Sequence, residues 1–194
     1  MSDFWLYLKL GFYHVLDWNA YDHILFLIVL TVAYTFSNWK KVLLLVTLFT
    51  LGHTMSLFLS VYGVVRVNAS LVEFLIPITI FFAALFNVFT ASNSNKYEKV
   101  GVLYATTVFF GIIHGLGFSN YFNVISSNVS SKTLPLIEFA LGVELAQIVV
   151  VFIVLLLSFI IQTVFRFSKR DWILVISSIV IGMVIPMIIS NKIW

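Results

Sequence analysis

The chain has 194 residues, of which 61% are hydrophobic and only 10% charged, with a formal net charge of +3 and a mean hydropathy of +1.08. A soluble domain covers its surface with about 25% charged residues, so this composition excludes one. The basic residues fall between apolar runs rather than in a patch, which argues against a nucleic-acid partner. The absence of cysteine excludes disulfides, thiolate metal sites and iron–sulfur clusters.

Several runs approach or exceed the roughly 20 apolar residues that cross a bilayer core. The alternating segments of about ten residues that mark a membrane β-barrel are absent. The expected fold class is all-α, a polytopic transmembrane helix bundle forming one integral membrane domain. Residues 1–20 read as an interfacial N-terminal segment and 21–190 as the transmembrane bundle. About six spans are predicted, over 21–37, 41–65, 71–91, 100–118, 134–165 and 172–190.

At the N-terminus, "FWLYLKLGFYHVL" is apolar but too short to cross, and it carries Lys9. Trp5, Tyr7, Tyr13, Trp18 and Tyr21 suit the headgroup layer, so an interfacial or re-entrant helix is expected. "MSDFWLYLKL" has an acidic residue where a basic n-region would stand, so no cleavable signal peptide is expected. Further on, "ASNSNKYEK" (91–99) reads as a polar turn and "SNYFNVISSNVSSKT" (119–133) as a longer outer loop. The Asn-x-Ser triplets at Asn68 and Asn128 are read as chance. Lys40, Lys41, Lys96, Lys99, Arg166, Lys169 and Arg170 fall in alternate loops, against Lys9, Arg66, Lys132 and Lys192 on the other side. The positive-inside rule places the larger group in the cytoplasm and both termini outside, with a bacterial inner membrane as the expected location.

Placed on that topology, the intramembrane ionisable residues gather toward the outer side. His14, Asp17, Asp22 and His23 flank the outer entrance of the first span, Glu73 and Glu138 open the third and fifth, and His114 lies near the outer end of the fourth. At 1.5 Å per residue, Glu144 is about 15 Å deep and His53 about 18 Å deep. Charge at a helix centre costs about 2.5–3.5 kcal/mol on insertion scales, so such groups face the bundle interior and need partners. One buried histidine is more often a satisfied core group than a ligand; four, with acids, on one side favour a cation site. Imidazole and carboxylate together suit nickel, cobalt, zinc or iron(II). Asp22 and His23 can act as ligand and supporting partner, and Glu144 and Gln147, three apart, share a helix face. Gly111 and Gly115 form a small-xxx-small pair that permits close helix contact.

Five stretches carry a resemblance. "GFYHVLDWNAYDHILFL", "LVTLFTLGHTMSLFLS", "VEFLIPITIFFAALFNVF", "FGIIHGLGFSNYF" and "LIEFALGVELAQI" resemble, in order, motifs of the HupE/UreJ family. The similarity runs over about residues 11–150. It implies a secondary permease for nickel or cobalt, with His14, Asp22, His23, His53, Glu73, His114 and Glu144 as the residues carrying the cation. Three features depart from the pattern. Seven residues separate His14 from Asp22, wider than in the nickel permeases of the wider family. The fourth motif is "HGLGF", without a paired histidine, and Ala20, Ala140 and Ala146 replace expected glycine, asparagine and glycine.

Three functions are therefore weighed. The first is a permease or binding protein for a divalent transition metal (nickel, cobalt or zinc), held as substrate or bound ion in a site open to the outer side. The second is an intramembrane metal-dependent hydrolase acting on lipid or lipidated substrates at the outer leaflet, with Asp22, Glu73 or Glu144 as base. The third is a metal-free structural subunit. The lipid bilayer and a metal ion are the expected partners; homo-oligomer formation stays open.

Overall fold

A computed structural model describes residues 4–92, 100–127, 129, 131–191 and 193. It is all-helical among the described residues: α1 (Phe4–Val15), α2 (Asp22–Thr31), α3 (Trp39–Val61), α4 (Ala69–Thr90), α5 (Val100–Ile125), α6 (Thr133–Thr163) and α7 (Lys169–Ser190), with a 3-10 turn at Phe36–Asn38 before α3. Five stretches are long and apolar enough to cross a membrane: α3 with its preceding turn, α4, α5, α6 and α7. At 1.5 Å per residue, the 31 residues of α6 reach about 46 Å, half again the bilayer core.

The local signals that start two of these helices are side-chain caps. Asn68 accepts from the Ser70 amide at 2.9 Å ahead of α4. Ser168 accepts from the Asp171 amide at 3.0 Å ahead of α7, and its hydroxyl donates back to the Asp171 carboxylate at 2.6 Å. Each cap satisfies an amide that the first turn leaves without an intrahelical partner. The turn after α3 uses Gly63 at φ 75°, a left-handed conformation that costs glycine little.

The expected span 21–37 takes a different form. Its helix is ten residues long, about 15 Å, and stops at Thr31. The Thr31 hydroxyl donates to the Leu27 carbonyl at 2.6 Å, the Tyr34 amide closes a turn on Thr31, and the polar residues Thr35, Ser37 and Asn38 then lead into the next helix. A ten-residue apolar helix suits a protein core better than a lipid crossing. Accordingly α2 buries Leu25, Phe26, Leu27 and Val29, which point all round it, among α4, α6 and α7. The other departure is at 119–133. α5 continues to Ile125, so the loop that follows is shorter than expected. Lys96, Lys99, Lys192, Asn128 and most of the 91–99 turn lie outside the described residues.

Three pairings organise the bundle: α3 against α5, α1 against α6, and α4 against α7. The first two are backbone contacts. A Cβ added at Gly11 would fall on the Phe139 carbonyl of α6, and one added at Gly142 would fall on the Leu8 carbonyl of α1. Likewise, a Cβ at Gly111 would meet the Phe49 carbonyl oxygen, and one at Gly115 that of His53, across the α3–α5 contact. Without side chains between them, the two helices hold His53 and His114 in one layer.

Candidate metal centre

Four helices each supply one histidine to the same place. His14 ends α1, His23 opens α2, His53 sits mid-α3 and His114 mid-α5. One ligating nitrogen from each of His14, His23 and His53 lies within 4.8 Å of the other two. His114 stands beside this trio, its ring centre 5.1 Å from that of His23. His23, His53 and His114 are almost wholly buried, and His14 is half-buried with its Nε2 enclosed.

Hydrogen bonds fix the tautomers of two of the rings. His114 Nδ1 lies 2.8 Å from the Phe110 carbonyl oxygen, which can only accept, so Nδ1 carries the proton. His23 Nδ1 lies 3.0 Å from Asp22 Oδ1, and an ionised carboxylate makes the same demand. In both neutral rings Nε2 is then a bare lone pair, and neither Nε2 has a hydrogen-bond partner. His14 Nε2 and both nitrogens of His53 are also buried without a partner. Each such atom in an apolar interior costs about 1–3 kcal/mol, and the cost recurs at five atoms in one place. A neutral His53 has one lone pair and one N–H, so a cation accepting one lone pair from each ring would relieve four of these atoms. Asp22 in turn holds His23 as a carboxylate holds a metal-binding imidazole, orienting the ring and raising its basicity.

The surroundings are aromatic. Phe118 packs on His14 at a centroid distance of 4.0 Å, Phe49 on His114 at 5.2 Å, and Phe139 stacks on Phe118 at 4.9 Å. Such walls exclude water and strengthen electrostatic attraction inside.

Among the residues expected from sequence, His14, Asp22, His23, His53 and His114 are thus brought into one cluster. Glu73 and Glu144 are not. Glu73 is exposed in the first turns of α4, and its backbone carbonyl accepts from Asn191 at 3.2 Å. The Glu144 carboxylate accepts from Thr47 at 2.7 Å and from Thr50, and Thr50 also reaches Gln147 Oε1 at 3.0 Å. Thr47 and Thr50, in the threonine-rich stretch before His53, are not among the site residues expected from sequence. Their signal is spacing: Thr47, Thr50 and His53 recur every three residues, so they form one stripe along α3.

The chain matches the family described as HupE / UreJ protein over residues 1–191. It belongs to the HupE / UreJ family. No curated protein and no solved structure matches it. Membership and the five membrane-capable helices together make it an integral membrane protein. For a HupE / UreJ protein, the buried histidine cluster is the part of this structure whose donor chemistry suits a metal ion.

Proposed function

We propose that the protein is a permease for a divalent transition metal, nickel or cobalt foremost, and that His14, His23, His53 and His114 take the ion from the outer side of a bacterial inner membrane. The observation that carries this reading is the convergence of four imidazoles with five unpartnered nitrogens in an aromatic enclosure. All-imidazole donors suit nickel, cobalt and zinc and disfavour hard ions such as magnesium and calcium. The supporting carboxylate, Asp22, balances part of the incoming charge. One nitrogen from each of His14, His23 and His53 lies within 4.8 Å of the other two, close enough for them to share one ion.

A hydrolase reading needs a free base beside the metal. Asp22 is already bonded to His23, while Glu73 and Glu144 stand in other settings. That arrangement favours carriage over chemistry.

The test is time-resolved uptake of nickel, cobalt, zinc and manganese into proteoliposomes, with His53→Ala protein as control. Saturable nickel or cobalt flux that disappears in the mutant supports the permease. Tight binding without flux would overturn transport and point to the hydrolase, and neither binding nor flux would overturn both.

A further inference from the structure

The cluster around Glu144 is the second polar feature of the bundle, and its chemistry differs from that of the histidines. All its donor atoms in hydrogen-bond contact are oxygens: the carboxylate, the hydroxyls of Thr47 and Thr50, and Gln147 Oε1. Thr47 and Thr50 come from α3, Glu144 and Gln147 from α6, so the cluster bridges two membrane-spanning helices. Gln147 is fully buried, and its Nε2 has no partner. Glu144 is half-buried and Thr47 exposed at the bundle surface.

The hydrogen-bond partners of this carboxylate are hydroxyls, not a cation. Of the helices packed on α6, α1 carries Lys9 and His14, α2 carries Asp22 and His23, α3 carries Lys40, Lys41 and His53, and α7 carries Lys169, Arg170 and Asp171. The Asp22 carboxylate is hydrogen-bonded to His23. Thr50 has one hydroxyl hydrogen and two acceptors within reach, Glu144 Oε2 and Gln147 Oε1, so a proton on the carboxyl group would supply the missing donor. A metal ion shared by these oxygens fits less well. At 2.7 and 3.0 Å these oxygens are already paired with one another by hydrogen bonds.

We propose that Glu144 is a proton-binding site, and that its protonation is coupled to metal movement through the histidine cluster; the coupling rests on the permease reading above. The same four residues can hold the carboxyl group in both states. When Glu144 is ionised, Thr47 and Thr50 each donate to one carboxylate oxygen, and the Gln147 amide turns so that Nε2 donates to the Thr50 oxygen. When a proton from water binds the carboxyl group, its O–H donates to the Thr50 oxygen and the Thr50 hydroxyl turns to Gln147 Oε1. One proton is gained or lost, and no other covalent bond is made or broken. Thr50 lies three residues, one turn, from His53 on α3, so a rearrangement about Thr50 reaches the metal centre through a single helix.

Two readouts separate this proposal from the permease reading. In liposomes, dicyclohexylcarbodiimide reacts with protonated carboxyl groups at the lipid boundary. Mass spectrometry should find the adduct on Glu144, with a yield that falls as pH is raised, and none in Glu144→Gln protein. In nickel-loaded proteoliposomes, a gradient of one pH unit should shift the steady-state nickel distribution by about tenfold if one proton exchanges per ion. Glu144→Gln should bind nickel as the unaltered protein does yet show no shift. An unreactive Glu144 across the pH range would overturn the proton site. A Glu144→Gln protein that still responds to the gradient would overturn the coupling. Absence of nickel flux in the unaltered protein would remove the permease reading and the coupling with it, while the adduct would still report whether Glu144 takes up a proton.

Discussion

His23 and Asp22 are adjacent in the chain and bonded through their side chains, Nδ1 to Oδ1 at 3.0 Å, so that a single turn at the start of α2 supplies both a ring of the proposed metal centre and the carboxylate that orients it. The Asp22 carboxylate also accepts the His23 amide at 2.8 Å, which fixes its own rotamer. Asp22→Asn keeps the size and one acceptor oxygen but removes the charge. It should lower nickel affinity about 10–100-fold with every histidine in place. Equilibrium dialysis against nickel measures this, and unchanged affinity would remove Asp22 from the centre.

Ligand identity can be read from stoichiometry. His53→Ala should abolish nickel binding, because both its nitrogens lie unpartnered in the cluster. His114→Ala should weaken binding rather than abolish it, since that ring stands outside the tight trio. Glu73→Gln should leave the bound metal unchanged, because that side chain is exposed on α4. Loss of metal in Glu73→Gln protein would contradict the site described.

The α3–α5 contact leaves no room at Gly115, where a Cβ would meet the His53 carbonyl and the Ser56 hydroxyl. Gly115→Ala should therefore destabilise the protein by about 1–3 kcal/mol through overpacking and should lower metal occupancy by parting His53 from His114. Gly182→Ala is the matched control, with nothing within 4 Å of the added carbon. Thermal unfolding in detergent compares the two; equal melting temperatures would refute the close contact.

Asn87 on α4 donates from Nδ2 to the Val29 carbonyl at 2.7 Å. That carbonyl is one of the last four of α2, which a helix end leaves without intrahelical partners. Asn87→Leu should cost about 1–3 kcal/mol by leaving it unsatisfied in an apolar setting. The same melting assay measures the loss, and a neutral result would mean that another donor replaces the amide.

What the sequence determined by itself is the class of the protein and the residue types that gather in the candidate metal centre. A run such as "IVVVFIVLLL" (148–157) has no use outside lipid or a large core. Burying four histidines is too costly to be incidental, so both conclusions follow from local transfer energies.

The tertiary structure decided which of those residues meet. Imidazoles from four different helices gather in one place, and glycines let α1 cross α6 and α3 cross α5 at backbone contact, a long-range fit that spacing along one helix does not encode. The same packing set Glu144 apart from the histidines and onto Thr47 and Thr50, which lie 97 and 94 residues earlier in the chain. It also shortened the first expected span to a buried ten-residue helix, because hydrophobicity alone cannot say whether an apolar segment faces lipid or protein.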